Sequence, residues 1–176
     1  MDEHQQFWTW FMRHVCEVNR VMIANVGTFT LSYKNERFYI RFKPTGNFGF
    51  VYRNKNGERR LPSHIFGEEF PVQNAKIWAP IVMKNNSISQ LSQQRQLMWH
   101  YAEHRSIKIS VSAQIVSSAI QTLCSTILHE RRIELTPHWK ILCYDTSRYD
   151  NRNTRYIYSR IGHTHLLYVM SQMGIG

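Results

Sequence analysis

Arginine and tyrosine alternate near the end of the chain in a pattern that suits contact with a nucleic acid. Arg148, Arg152 and Arg155 stand beside Tyr149 and Tyr156. Arginine binds phosphate and enters narrow minor grooves, and tyrosine stacks on exposed bases. The segment is therefore a candidate nucleic-acid contact. The alternative is an exposed hairpin that its arginines keep soluble.

A second basic segment lies about 100 residues earlier, at the same place in an apparent repeat. Its cations flank an Asn-Gly pair at 56–57, where they could equally protect an edge strand from aggregation. The remaining candidate contacts are Lys34, Arg37, Arg41, Lys43, Arg53, Lys55, Arg59 and Arg60 in this segment, and Arg160 in the later one.

The net charge of +10 is confined to these two segments. Residues 31–60 carry eight bases against two acids, and residues 131–160 carry seven against three. Elsewhere bases and acids cancel. A clustered excess favours a polyanionic partner, because neutralising phosphates releases counterions. The alternative is a solvated basic surface that only confers solubility.

Other motifs give little support for catalysis or for a bound cofactor. His163 and His165 form a minimal metal pair without a nearby third ligand, and a surface histidine pair is the simpler interpretation. Asp145 and Asp150 lie near arginines as in some nucleases, but no paired-acid motif, nucleophile elbow or phosphate loop accompanies them. We therefore expect no catalytic residue, no metal and no cofactor.

Cysteine placement and the chain's first residues bear on the compartment. Cys16 and Cys124 fall on apolar helical faces, so buried reduced thiols are expected there, with a disulfide as the alternative; none of the three cysteines, Cys143 included, has the Cys-x-x-Cys spacing of a zinc site. The first residues lack the order of a secretion signal, and no apolar run approaches the roughly 20 residues of a membrane helix. These features predict an intracellular, reducing setting (cytoplasm, nucleoid or nucleus) or packaging in a virion.

The first half predicts one helix followed by strands. Residues 7–19 place Phe7, Phe11 and Val15 at helical spacing. Residues 21–33 predict two strands around a turn at 25–27, and residues 37–43 predict another. A hairpin with its tip at 54–57 follows, because Asn-Gly suits a tight turn. Residues 77–83 predict a further strand.

The second half predicts helices near 90–104 and over 110–130. In the longer helix Val111 and Ile115 begin an apolar row that recurs every fourth residue, and Ser110 or Ser112 is the expected N-cap. Residues 131–145 predict a strand, a turn at 136–138 and a second strand. A short helix over 163–172 ends the pattern.

Helix, strand, turn, strand and basic aromatic segment thus occur twice, about 100 residues apart. The expected fold is α+β, with two units that each pack helices on a small antiparallel sheet with a basic β-arm. The expected boundaries are 1–88, a unit without an obvious first helix, and 89–176.

Residues 7–46 resemble the HU and integration-host-factor DNA-binding proteins. Gly27, Thr28 and Phe29 match that family's Gly-Phe-Gly-Thr-Phe turn, with Val26 in place of the aromatic residue. Residues 90–142 are similar to the family's opening helices and first strands. The tandem arrangement is also similar to a coiled-coil-domain, centrosome-associated group and its bacterial relatives, in which residues 67–72 would be a spacer.

This resemblance implies two β-arms, over 33–60 and 145–160, that grip DNA, with DNA favoured over RNA. The family's Arg-Asn-Pro arm tip is absent, so binding to the backbone is expected rather than intercalation. The chain would form a pseudo-dimer within itself or a homodimer. The alternative is a structural or adaptor component of a virion, ribonucleoprotein or cytoskeletal assembly, in which the same fold contacts protein partners.

Overall fold

The computed structural model describes the backbone of residues 2–23, 26–44, 50–53, 59–60, 88–145 and 153–174. Side chains are described over 2–23, 26–44, 95–127, 130–143 and 157–174. Within these ranges the chain is α+β, with four helices and two antiparallel sheets, which confirms the expected fold class at that level. No helix of the described ranges is long and apolar enough to cross a membrane.

The first half begins with helix α1 and continues into a three-stranded sheet. Asp2 caps α1 by accepting a hydrogen bond from the Gln5 backbone N–H at 2.8 Å. The sheet order is β1-β2-β3, and the predicted strands are confirmed. The element bounds are α1 Glu3–Val18, β1 Arg20–Ile23, β2 Gly27–Lys34, β3 Arg37–Pro44, β4 Phe50–Arg53 and β5 Arg59–Arg60.

The second half contains three helices and three strands. The helices expected near 90–104, over 110–130 and over 163–172 are all confirmed. The bounds are α2 Ile88–Arg105, α3 Ile109–Glu130, β6 Arg132–Thr136, β7 Trp139–Asp145, β8 Asn153–Ile161 and α4 His163–Gln172. The strand expected over 77–83, the proposed spacer at 67–72 and the hairpin tip at 54–57 lie outside the described residues.

The start of α3 differs from the sequence prediction. The N-cap is Lys108, without a side-chain cap, so the expected cap at Ser110 or Ser112 is wrong. Ser112 lies inside the helix and its hydroxyl donates to the Met98 carbonyl of α2. Val111, placed on the apolar row, is 41% exposed, whereas Ile115 is buried. The apolar face therefore begins one turn later than its spacing suggested.

An internal repeat relates α1-β1-β2-β3 to α3-β6-β7-β8. Both leading helices end in a left-handed residue, Asn19 with φ 69° and Arg131 with φ 65°. The carbonyl of each accepts a hydrogen bond from the second strand that follows, from Leu31 N–H at 2.9 Å and from Cys143 N–H at 2.8 Å. Both pairs are 112 residues apart (131 − 19 and 143 − 31), so the expected spacing of about 100 residues was too short.

The two copies share one hydrophobic core, in which Trp139 of β7 is central. Its ring packs against Trp8 and Phe11 of α1 and Phe29 of β2, with centroids 5.7–6.0 Å apart. Its indole N–H donates to the Ser159 hydroxyl of β8 at 2.6 Å. A buried tryptophan needs such a partner for its polar edge. The boundary between 88 and 89 stays a prediction, but the cores of the two halves are continuous.

Gly27 opens β2 where no side chain would fit. A Cβ there would lie 2.5 Å from both the Lys43 carbonyl oxygen and the Phe42 ring of β3. The close approach of β3 therefore explains the glycine, whose equivalent in the second copy, 112 residues later, is Trp139. Phe29, two residues on, is fully buried.

The five-stranded sheet, β5-β4-β8-β7-β6, combines strands of both halves. Phe50 and Val51 of β4 pair with Thr154 and Asn153 of β8. The two segments that the sequence marks as basic arms therefore meet in one sheet, although they are distant along the chain.

Candidate nucleic-acid interface

The outward face of the three-stranded sheet is basic. Along β3, Ile40 and Phe42 are buried, whereas Arg37, Arg41 and Lys43 are exposed. This alternation follows from the two-residue period of a strand and from the apolar residues that must face the core. The same period places these cations together on the solvent side.

Strand register places further cations on this face. Thr30 of β2 lies between Arg20 of β1 and Arg41 of β3, so the three residues form one row across the sheet. The row at Thr28 continues to Lys43, and the end of the sheet pairs Lys34 with Arg37. The face defined here as the basic face comprises Arg20, Thr28, Thr30, Ser32, Lys34, Arg37, Tyr39, Arg41 and Lys43.

The basic face combines five cations with hydroxyl groups and no acid. Its hydroxyl residues lie between or beside the cations, as in surfaces that bind phosphate oxygens by both charge and hydrogen bonds. Tyr39 is 37% exposed and offers a ring for stacking. Lys34 lies directly opposite Arg37, an arrangement that destabilises a sheet unless an anion offsets the repulsion. Glu36 in the turn between them is the nearest acid along the chain, and the remaining cations of the face have none beside them on their strands.

The tip of this hairpin is shorter than the arm that the resemblance implies. The turn consists of Asn35 and Glu36, with φ 53° and 61°. Two positive φ angles suit a two-residue hairpin turn with the right-handed twist of its strands. Pro44 lies opposite Gly27, at the other end of the sheet from the turn. The proline is therefore not positioned to insert between bases from the hairpin tip.

The corresponding face of the second copy carries a more mixed charge. Lys140 pairs across the sheet with both Glu134 of β6 and Arg160 of β8. Its ammonium lies 3.5 Å from the Glu134 carboxylate. Arg160 is exposed and stays a candidate contact. The second copy thus offsets part of its charge internally, unlike the basic face.

The other candidate residues are placed less completely. Arg53 pairs with Arg59, and Tyr52 with Arg60, in the β4–β5 hairpin. On β8, Arg155 lies opposite Asp145, and Tyr156 lies opposite Tyr144. The structure describes the backbone but not the side chains of these candidates. Lys55, Arg148, Tyr149 and Arg152 lie outside the described residues.

Arg20 is a candidate contact that the sequence analysis did not select. It stands outside both charge-rich segments, directly after the αL residue that ends α1. In the structure, burial alternates along β1, with Val21 and Ile23 buried and Arg20 exposed on the opposite face. Its place beside Arg41 depends on the register of three strands, which local spacing does not give.

The two histidines that the sequence placed together have different partners. His163, the first residue of α4, accepts a hydrogen bond at Nδ1 from the Phe38 backbone N–H of β3 at 3.0 Å. His165 stacks on His138 with ring centroids 3.9 Å apart. Burial and the nearby His138 lower the pKa of His165. His163 therefore links the three-stranded sheet to the start of α4, and His165 belongs to a stacked pair.

No disulfide joins the three cysteines and all are buried, as the sequence predicts for Cys16 and Cys124. Burial raises the pKa of Cys16 to about 11 and that of Cys124 to about 12. At neutral pH both are protonated and unreactive. Across the described ranges, no group of three or more histidine, cysteine or acidic side chains is arranged to hold a metal ion.

Comparisons of the chain with protein-family models, with curated proteins and with solved structures give no match.

Proposed function

We propose that this protein is a non-catalytic architectural nucleic-acid-binding protein of HU-like fold, which binds DNA largely without sequence specificity. The observation that carries the proposal is the basic face, on which five cations and their hydroxyl neighbours lie on one sheet without an acid. Backbone contacts of this kind position a protein on a duplex but do not read its sequence.

Two further observations support the proposal. The element order of the repeat, a helix followed by three antiparallel strands, agrees with the HU-like resemblance of residues 7–46. In addition, β4 of the first basic segment pairs with β8 of the second, so part of each segment lies in one sheet. Two such copies around a shared core would make the chain an internal pseudo-dimer.

The test is fluorescence anisotropy with duplex DNA, duplex RNA and single strands between about 50 and 200 mM salt. The variant changes Arg20, Arg37 and Arg41 to glutamine. The control changes Arg13, Arg95 and Lys108, which are exposed cations on or beside helices, to glutamine.

We expect the wild-type protein to bind duplex DNA with an affinity that falls steeply with salt. The variant of the basic face should reduce the slope of log affinity against log salt by about 3, since each phosphate contact contributes about 0.9. The control variant should keep most of the wild-type slope of log affinity against log salt. Absence of binding at low salt, or equal losses in both variants, would contradict the proposal.

A second candidate function is that of an adaptor in a larger assembly. Large apolar side chains are exposed on the helices, including Trp99 at 53%, Ile109 at 49% and Tyr168 at 60%. Such residues are enriched in protein interfaces. Sedimentation of the protein with a candidate partner distinguishes the two functions, because a packed apolar interface persists in salt that removes phosphate contacts.

A further inference from the structure

A cleft of about 510 Å³ lies between the end of α1, the edge strand β1 and helix α2. One wall is apolar and includes Val18 and Leu97. The polar lining comes from all three elements, with His14 on α1, Arg20 on β1 and His100 on α2. Three nitrogen-bearing, potentially cationic groups therefore converge on one open cavity.

The histidine rings are held close together. The centroids of His14 and His100 are 5.4 Å apart. The His14 ring is stacked on Trp10, with centroids 4.8 Å apart and planes 13° from parallel. This stacking fixes the ring at the cavity. The position of His14 is thus set before any ligand arrives.

The groups around His14 would favour a bound anion. Burial is the main cause that lowers its pKa, followed by the nearby His100, while Glu17 on the same helix acts in the opposite direction. Arg20 adds a permanent positive charge from β1. An anion in the cleft would replace lost solvation and offset the repulsion between the two rings.

The cleft is continuous with the basic face. Arg20 lines the cleft and is also the first residue of the row that runs through Thr30 to Arg41. A nucleic-acid strand that follows this row off the edge of β1 meets the cleft next. A phosphate group is the anion that such a strand presents.

We propose that the cleft formed by His14, Arg20 and His100 is a phosphate-binding site whose affinity increases as the pH falls. Arg20 supplies the permanent charge, His14 supplies charge and a hydrogen-bond donor when it is protonated, and the His100 ring supplies a further N–H donor beside it. Gln96 can donate a further hydrogen bond from its amide. The inference depends on the proposed function only for the source of the phosphate, a nucleic-acid backbone or a free anion.

The test follows the imidazole C–H signals of the whole protein by NMR during titration with sulfate at pH 5.5 and pH 7.5. Sulfate replaces phosphate because its charge is the same at both pH values. We expect saturable shifts of His14 and His100 at pH 5.5 and an affinity about tenfold lower at pH 7.5, which corresponds to a rise of about one in the pKa of His14 when the anion binds. His138 and His165, the stacked pair elsewhere, serve as internal controls.

Single substitutions distinguish the contributions of Arg20 and His14 to anion binding. Arg20→Gln should weaken sulfate binding at both pH values, whereas His14→Gln should remove most of the pH dependence. Absence of a saturable shift at pH 5.5, or equal shifts of His138 and His165, would overturn the proposal. Unchanged binding in the Arg20→Gln variant would overturn it as well.

Two further measurements identify the source of the phosphate and separate this site from the proposed function. A short single-stranded oligonucleotide should reproduce the sulfate shifts if the backbone is the ligand, and a response to sulfate alone assigns the site to a free anion. A variant with Arg37 and Arg41 changed to glutamine should weaken duplex binding but keep the sulfate response. If the wild-type protein does not bind nucleic acid but sulfate still shifts His14, the proposed function fails and the anion site remains.

Discussion

Gly27 and Trp139 occupy equivalent places in the two copies of the repeat, yet one has no side chain and the other has the largest. At Gly27, β3 passes too close for a Cβ. At Trp139, the equivalent position fills the centre of the shared core. The copies therefore retain the backbone of the repeat but not its packing, which explains why the sequence shows the glycine turn only once.

Gly27→Ala should lower the free energy of unfolding by about 1–3 kcal/mol, because the added methyl group displaces either the Lys43 carbonyl or the Phe42 ring. Urea unfolding followed by tryptophan fluorescence measures the change. Gly162→Ser is the control, since a Cβ at Gly162 has no atom within 4 Å, and its effect should stay within about 0.5 kcal/mol. Equal effects of the two changes would contradict the steric explanation.

His14 should make stability depend on pH. Its pKa lies below the ordinary value of about 6.5 in the folded state, so the unfolded chain binds more protons as the pH falls below that value. The free energy of unfolding should therefore decrease from pH 7.5 to pH 5.5 in the absence of sulfate or phosphate. His14→Gln should reduce this decrease, as measured by urea unfolding at both pH values. An unchanged decrease would assign the effect to other histidines, such as His165.

At the scale of the elements, α3 begins with an unfavourable residue. Lys108 places a positive charge at the helix N-terminus and makes no side-chain cap. Lys108→Asp should raise the free energy of unfolding by about 1 kcal/mol, because aspartate caps the first turn and suits the helix dipole. Lys108→Gln removes the positive charge but does not supply a good cap, so it should raise the free energy of unfolding by less than Lys108→Asp does. Thermal unfolding of the three proteins tests this order.

Local periodicity predicted most elements but not how they are assembled. The apolar row of α3 and the bounds of α4 follow from side-chain spacing alone. The pairing of β4 with β8 joins residues about 100 positions apart, for which no local pattern exists. The Asn35–Glu36 turn was also missed, since glutamate with a positive φ is uncommon.

The same limit applies to the candidate site. Lys34, Arg37, Arg41 and Lys43 were identified from charge and alternation, and the structure places all four on one face. Arg20 could be identified as a fifth cation of this face only from the register of the strands in the structure. The convergence of His14 and His100 depends on how α1 packs beside α2, which spacing within either helix does not reveal.

At the scale of the whole molecule, the core requires both halves. Trp139 contacts three aromatic rings of the first half, and Phe7 of α1 packs on Tyr101 of α2 with centroids 5.2 Å apart. A separated half would expose these rings to water, at about 25 cal/mol for each Å² of apolar surface.

Fragments 1–88 and 89–176, produced separately, should therefore lack cooperative unfolding transitions. Mixing them should restore the far-UV circular dichroism and the tryptophan fluorescence of the whole chain. Cooperative unfolding of either fragment alone would show instead that the halves are independent domains. This experiment also tests the predicted boundary.

The length of β3 sets a footprint for the basic face. Successive outward residues of a strand are about 6.6 Å apart, so Arg37 and Lys43 are separated by about 20 Å. One DNA strand advances about 3.4 Å along the helix axis for each phosphate, so this distance corresponds to about six base-pair steps. Under the proposed function, duplexes shorter than this lose contacts one cation at a time, and longer duplexes add only to the number of positions at which the protein can bind.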